Sequence, residues 1–253
     1  MAAQVPAAVR TLAVLKLLAS SSGSLPAAVI SRNLDLPRSS TYHLLQAMER
    51  EGFVTYFPEG RTWGLGVSTF EVGTAYLRHE PLENLARPIL RALVASMRTP
   101  VVAHLGILHG RETLYLLKET PKSPMTLVTD VGVRLPAHLT ASGRAIVSHL
   151  SDAQFRATFP NADSLVDRTG KGPQTLSDLR NILKSERSRG FSFEDEFVAP
   201  GYVSIAMPVL DRVGHPTASV ACTTSKETFT SEIENHMVDR IGKAIKDLTI
   251  RLR

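Results

Sequence analysis

Residues 36–54 read LPRSSTYHLLQAMEREGFV, and this stretch decides the fold of the first part of the chain. Pro37 suits the first turn of a helix, and Gly52 suits the position just beyond its end. Between them, the side chains at the i, i+3, i+4, i+7 spacing of a buried helical stripe are Thr41, Leu44, Leu45 and Met48. We therefore predict a helix from Pro37 to Glu51 that packs one face into a core.

The opposite face of this predicted helix carries hydroxyl, imidazole, amide and guanidinium groups instead of acidic side chains. Such groups match the base edges and phosphate oxygens of a DNA major groove. A polar outer face is also typical of a solvated surface helix, so the pattern alone leaves both interpretations open. The DNA-binding candidates in this helix are Arg38, Ser39, Ser40, Tyr42, His43, Gln46 and Arg50.

The segments on either side of this helix indicate a larger unit. Helical spacing predicts one helix at Pro6–Ser20 and another at Leu25–Asn33, with Ser24 as the capping residue of the second. Residues 53–65 alternate bulky and polar side chains around a Pro-Glu-Gly turn, which predicts a hairpin. Three helices followed by a basic hairpin is the order of a winged helix-turn-helix, and Arg61 in the hairpin is a further DNA-binding candidate.

The remainder of the chain mixes helical and strand patterns. Helices are predicted at Gly66–His79, Pro81–Met97, Thr140–Leu150 and Thr230–Arg253. Capping-box patterns begin two more helices, at Ser151 and at Thr175. Strands are predicted at Val101–Leu108, Thr113–Lys118, Met125–Val131, Tyr202–Leu210 and Thr217–Thr223. Strands interleaved with helices predict an α/β domain of the sensor type.

Composition bounds the class of protein. A length of 253 residues favours two domains, and a formal net charge of +5 suits a polyanionic partner without proving one. Cys222 is the only cysteine, which rules out an intramolecular disulfide and favours a reducing, cytoplasmic setting. No long uncharged apolar stretch predicts a membrane span.

Five separated stretches of the sequence resemble one known family. The run from Leu36 to Val54, followed by Thr62-Trp-Gly-Leu-Gly66, resembles the DNA-binding domain of IclR-family transcription regulators. Residues 131–146, 190–196 and 205–211 resemble the effector-binding domain of that family. The resemblance implies an α+β protein: a winged helix-turn-helix at residues 1–66, a linker helix at residues 67–80, and a GAF/PAS-like α/β effector-binding domain at residues 81–253.

The resemblance also implies partners. A homodimer or homotetramer would bind double-stranded operator DNA, and a small effector, often a carboxylate, would modulate that binding. The resemblance implies no cofactor and no covalent chemistry, so we expect no catalytic residue, no metal site and no enzymatic activity.

An effector site can be placed at the start of the helix predicted from Thr140. Free backbone N–H groups and the helix dipole favour a carboxylate there, and the small residues Thr140, Ala141, Ser142 and Gly143 allow close approach. The resemblance adds Glu194, Ser204, Ala221 and Thr223 as further lining residues. Some relatives have a cysteine or serine where this chain has Ser204 and Ala221, so no relative's ligand transfers directly.

Two other classes of function stay open as alternatives. The chain has no glycine-rich phosphate loop, no G-x-S-x-G elbow and no H-E-x-x-H helix, so nothing favours an enzyme acting on a small molecule. The spacing of His104, His109 and His138 does not match a metal site. The other alternative is a ligand-sensing module that acts through protein partners. A protein-docking helix usually presents more large apolar residues than the helix at 37–51 does.

Overall fold

The computed structural model describes residues 5–21, 23–79, 81–121 and 129–252. The chain divides into two compact units, Met1–Glu80 and Pro81–Arg253. Each unit has its own hydrophobic core.

The N-terminal unit is a winged helix-turn-helix. Its described helices are α1 (Pro6–Ser20), α2 (Ala27–Asn33), α3 (Arg38–Arg50) and α4 (Val67–His79). Its strands are β1 (Leu25–Pro26), β2 (Val54–Phe57) and β3 (Thr62–Leu65), which form an antiparallel sheet in the order β1-β3-β2. The predicted fold class is confirmed, and the hairpin of β2 and β3 is the wing.

The core of this unit follows from the apolar stripes of its helices. Thr41, Leu45 and Met48 on α3 are buried, whereas Leu44 is only partly buried. Leu45 and Met48 pack with buried side chains from the other elements of this unit: Val14, Leu18, Ala27, Ile30, Val54 and Trp63. The stripe predicted from the spacing is therefore the face that anchors α3, and the opposite face is left outward.

The prediction that Ser24 caps the second helix is wrong. Leu25 and Pro26 pair with Trp63 and Thr62 as a short strand, so the helix begins only at Ala27. The Ser24 hydroxyl instead lies 2.8 Å from Thr62 Oγ1. Pairing with β3 takes the place of a side-chain cap here, since it fixes the chain immediately before the helix.

Among its described residues, the C-terminal unit is built on a six-stranded antiparallel sheet. Its strands are β4 (Val102–His109), β5 (Glu112–Glu119), β6 (Arg134–Pro136), β7 (Ser192–Asp195), β8 (Tyr202–Leu210) and β9 (Pro216–Ser225), in the order β6-β5-β4-β9-β8-β7. Its described helices are α5 (Pro81–Ala95), α6 (Ala141–Val147), α7 (Asp152–Thr158), α8 (Leu176–Arg189) and α9 (Ser231–Arg251). The short strands β6 and β7 were not predicted. Most of the strand predicted at 125–131 lies outside the described residues, and residues 129–131 form no strand.

The two faces of this sheet pack differently. One face meets α5 and α9 across a large apolar core that includes Leu105, Ile205, Val220 and Met237. On the other face, the apolar cluster between α6 and the strands consists of alanines: Ala141, Ala145, Ala206 and Ala221. Small side chains let α6 approach the strands closely, so this face offers little apolar bulk and has room for polar groups.

Both capping boxes read from the sequence are confirmed. The Gln154 amide donates to Ser151 Oγ at 3.3 Å, and the Asp178 amide donates to Thr175 Oγ1 at 3.1 Å. In each box the partner side chain accepts from the capping residue's own amide. Gly190 ends α8 with a φ of 86°, a left-handed conformation that glycine adopts without a Cβ clash.

A buried ion pair joins α6, α8 and β7. Arg144 is fully buried, and its Nε lies 3.1 Å from Glu186 Oε1 on α8. Its Nη1 donates to the carbonyls of His138 and Leu139 at 3.1 and 2.8 Å, and its Nη2 donates to the carbonyl of Phe193 at 2.6 Å. The guanidinium therefore has protein partners on three sides, which is the condition for keeping a charge in a core.

Removing this guanidinium should destabilise the C-terminal unit strongly. We expect Arg144→Met to lower the free energy of unfolding by about 3–5 kcal/mol, because the buried Glu186 would lose its buried cation and keep only the partly exposed Arg189 and the Phe193 amide as partners. Urea denaturation of the full chain measures the change. The matched control is Arg98→Met, which breaks an exposed ion pair with Glu232 and should cost at most about 1 kcal/mol. Equal losses in the two variants would show that Arg144 has no structural role.

Candidate functional site

The outer face of α3 is exposed to solvent. Six of the seven candidates on this helix are exposed: Arg38, Ser39, Tyr42, His43, Gln46 and Arg50. Ser40, the seventh, is half-buried. Tyr42 is 51% exposed to solvent, which is a large exposed fraction for an aromatic residue. The face predicted to meet DNA is thus free to do so.

The wing lies next to this helix in the fold of the unit. Glu49 on α3 accepts a hydrogen bond from the Tyr56 amide on β2 at 3.3 Å, which ties the helix to the hairpin. Arg61 is exposed at the tip of that hairpin and has a φ of 50°, in the left-handed region used by tight turns. One rigid scaffold therefore presents both the polar helix face and a basic turn.

A second candidate site is a cavity of about 50 Å³ in the C-terminal unit, at the start of α6. Seven of the eight residues expected at an effector site line it: Thr140, Ala141, Ser142, Glu194, Ser204, Ala221 and Thr223. Gly143 is not among the lining residues.

Strand register brings these residues together from distant parts of the sequence. Glu194 pairs with Ser204, and Ser204 pairs with Thr223, so the three form one row across β7, β8 and β9. Ala221 lies two residues from Thr223 and pairs with His104 on β4. Because alternate residues of a strand share a face, both rows point toward α6.

The carboxylate of Glu194 forms one wall of the cavity. Its Oε1 accepts from the amides of Phe197 and Val198 at 2.6 and 3.1 Å, and its Oε2 accepts from the Ser204 hydroxyl at 2.9 Å. Burial raises the pKa of Glu194, while these hydrogen bonds and the charge of Arg144 lower it. The net shift is upward, so desolvation is the strongest single effect on this group.

Sequence reasoning missed His104, Tyr115 and Thr129, which are polar residues that line the cavity. His104 Nε2 lies 3.0 Å from Thr129 Oγ1, and burial lowers the His104 pKa to about 3, so the ring is neutral at pH 7. Burial also raises the pKa of Tyr115 to about 12, and its ring centroid lies 4.8 Å from that of His104. The signal in the sequence is His104 in an otherwise apolar strand, and its spacing to the other histidines does not match a metal site. The remaining lining residues are Leu135, Val198, Ala199 and Tyr202.

Gly143 contributes to packing next to the cavity. Its amide donates to the capping hydroxyl Thr140 Oγ1 at 2.9 Å. A Cβ at this position would collide with the backbone of Ala137 and lie 2.5 Å from Thr113 Oγ1. The absence of a side chain is therefore what lets α6 lie against the segment that precedes it.

Adding a methyl group at Gly143 should disturb this packing. We expect Gly143→Ala to destabilise the unit by roughly 1–3 kcal/mol or more, because rigid backbone on the other side cannot move away easily. The control is Gly242→Ala in α9, where the nearest atom to an added Cβ is Met207 Sδ at 3.9 Å, an ordinary contact. Thermal denaturation should show a lower melting temperature for the first variant and an unchanged or higher one for the second. The reverse order would contradict the close approach.

Other site types find little support among the described residues. No group of three potential metal ligands occurs within the described ranges. Cys222 lies on the sheet face away from α6, in the apolar core, and burial raises the pKa of its thiol. No described helix is both long enough and apolar enough to span a bilayer.

The two sites together define a class of protein. A winged helix-turn-helix with an exposed, donor-rich helix, joined in one chain to a sheet domain with a small polar cavity, is the architecture of a ligand-responsive transcriptional regulator. The chain belongs to the IclR family of bacterial transcriptional regulators. The family model described as the IclR helix-turn-helix domain matches residues 7–58, and the model described as the bacterial transcriptional regulator IclR C-terminal matches residues 74–249.

Individual relatives agree with this assignment. The chain is 28% identical to the acetate operon repressor of Salmonella typhimurium over 98% of this chain and 90% of that protein. An IclR regulator from Alicyclobacillus acidocaldarius has the same fold, with a TM-score of 0.87 at 20% identity over 98% and 99% of the two chains. An IclR homologue from Microbacterium hydrocarbonoxydans, solved with 4-hydroxybenzoate, has a TM-score of 0.82 at 19% identity over the same shares. The resemblance seen in the sequence is confirmed.

Proposed function

We propose that the chain is a repressor that reads operator DNA with the outer face of α3 and contacts the flanking backbone with the wing. The main support for this proposal is that the donor-rich face of α3 is exposed. The opposite face of the same helix is buried in the core, which fixes the orientation of the helix. The printed names of several relatives describe them as repressors, which favours repression over activation.

The candidate residues divide into two roles. Tyr42, His43 and Gln46 lie in the middle of the exposed face, where side chains reach base edges in a major groove. Arg38 and Arg50 lie at the two ends of α3, where the phosphate backbone passes. Ser39, Ser40 and the wing residue Arg61 are proposed as further backbone contacts.

The C-terminal cavity is proposed as the effector site. The cavity volume is about 50 Å³, and a single water needs roughly 10–15 Å³ of such volume. The cavity therefore suits a ligand of only a few non-hydrogen atoms. A carboxylate would lie among the hydroxyls of Thr140 and Ser142, close to the small residues at the start of α6. We place Glu194, Ser204, Ala221 and Thr223 on the opposite side of the ligand, and Gly143 in support of the helix start.

Several wider features belong to the same proposal. We assign residues 1–66 to DNA binding, 67–80 to a linker helix and 81–253 to effector binding, limits that agree with α4 and with the start of the second unit. We propose a homodimer or homotetramer, because an operator is read by two recognition helices. We propose a regulator without catalytic activity, located in the cytoplasm where its DNA lies.

Substitutions on α3 should separate base contacts from backbone contacts. Gln46→Ala should weaken binding to the promoter DNA of the protein's own gene by about tenfold or more, and binding to scrambled DNA much less, because a base contact is worth about 1–3 kcal/mol. Arg50→Ala should weaken both equally and reduce the salt slope of log K by about 1. Fluorescence anisotropy across a salt series measures both effects.

The control for this experiment is Gln174→Ala, which truncates an exposed glutamine in the C-terminal unit. It should leave both affinities unchanged. If Gln46→Ala behaved like this control, or weakened both DNAs equally, α3 would not be the element that reads the sequence.

A further inference from the structure

One wall of the effector cavity is a chain of three hydrogen-bonding side chains. Glu194 on β7, Ser204 on β8 and Thr223 on β9 occupy neighbouring positions across the sheet. Ser204 Oγ lies 2.9 Å from Glu194 Oε2 and 2.9 Å from Thr223 Oγ1. Thr223 is the end of the chain that is farthest from the carboxylate, and it lines the cavity.

The direction of this chain is set by its carboxylate end. An ionised carboxylate only accepts hydrogen bonds, so Ser204 must donate its single hydroxyl proton to Glu194. Ser204 can then take part in its second bond only as an acceptor, so Thr223 must donate to it. The hydroxyl proton of Thr223 therefore points to Ser204, and Thr223 presents only the lone pairs of its oxygen to the cavity.

Backbone donors favour the ionised form of Glu194 against the burial that raises its pKa, and the direction of the chain is that of the ionised form. Its other oxygen, Oε1, already accepts from the amides of Phe197 and Val198, which satisfy a carboxylate and would oppose a proton on that atom. The guanidinium of Arg144, bonded to the Phe193 carbonyl, adds a positive charge behind the strand. No lysine or arginine is among the residues that line the cavity in the described part of the chain.

We propose that this wall selects effectors that present a hydrogen-bond donor, a hydroxyl or an amide N–H, to Thr223, and disfavours an oxo or carboxylate oxygen at that position. An acceptor placed there would face the lone pairs of Thr223 in a buried site, with no proton between the two oxygens. The inference rests on the proposal that the cavity holds the effector. Combined with a carboxylate at the start of α6, it points to small 2-hydroxy acids over the matching 2-oxo acids.

Matched pairs of compounds test this selection directly. The pairs are lactate and pyruvate, and 2-hydroxybutyrate and 2-oxobutyrate, whose members differ in one oxygen group. Isothermal titration of the full chain should give a dissociation constant about tenfold lower for the hydroxy member of a pair, the effect of one mismatched buried hydrogen bond.

Two nearly isosteric variants then change the polarity of the wall. In Glu194→Gln, the amide oxygen can still accept from Phe197 and Val198, while the new NH₂ donates to Ser204. That reverses the direction of the hydrogen bonds, so Thr223 donates toward the ligand and the preference should invert toward the oxo acid.

Thr223→Val removes the terminal hydroxyl and should bring the dissociation constants of the two members of a pair within about twofold of each other. The control Glu227→Gln, at an exposed position, should keep the preference of the original chain.

Each outcome of the titrations decides something. A preference for oxo acids in the unaltered chain, or a hydroxy preference that survives in Glu194→Gln, would overturn the proposed polarity while leaving the cavity as the effector site. If no member of any pair bound, the proposed effector site for small carboxylates would fail, and the inference with it. Circular dichroism of both variants shows whether a lost preference reflects a lost fold.

Discussion

The buried guanidinium of Arg144 is the interaction on which the effector domain depends. A charge in a core requires partners on every side, and Arg144 takes them from α8, from the segment before α6, and from the carbonyl of Phe193 in β7. Glu194 follows Phe193 directly, so the same contact sets the position of the carboxylate that forms the cavity wall. The polar cavity is therefore supported by a polar core, and the small alanine cluster between α6 and the sheet leaves the space for it.

The two units use polar groups in opposite ways. In the N-terminal unit, an apolar core formed around Leu45 and Met48 holds α3 so that its hydrogen-bond donors face outward. In the C-terminal unit, hydroxyls and a carboxylate face inward, where desolvation makes each hydrogen bond count for more in selecting a ligand. A protein that couples a metabolite to a gene needs both: an exposed surface for a polyanion, and an enclosed site for a small molecule.

The sequence predicts local features of this fold better than long-range ones. The stripe of α3 and the capping boxes at Ser151 and Thr175 depend on residues three or four apart. The structure has both capping boxes as predicted, and it has the stripe with Leu44 only partly buried. The cap assigned to Ser24 failed because pairing with β3 is a contact across 38 residues. The polar residues His104 and Tyr115 were missed for the same reason, since only the strand order β5-β4-β9-β8 brings them to the cavity. The resemblance, rather than any spacing, placed Glu194 and Thr223 there.

If ligand binding in the cavity controls DNA binding, the two binding events are thermodynamically coupled, and this coupling can be measured directly. The test uses a compound that raises the melting temperature of the full chain. The affinity of the chain for promoter DNA is measured with and without the compound, and its affinity for the compound is measured with and without DNA. We predict that both change by the same factor, on the order of 5- to 150-fold, as linkage requires. A compound that binds the cavity and leaves the DNA affinity unchanged would contradict the claim.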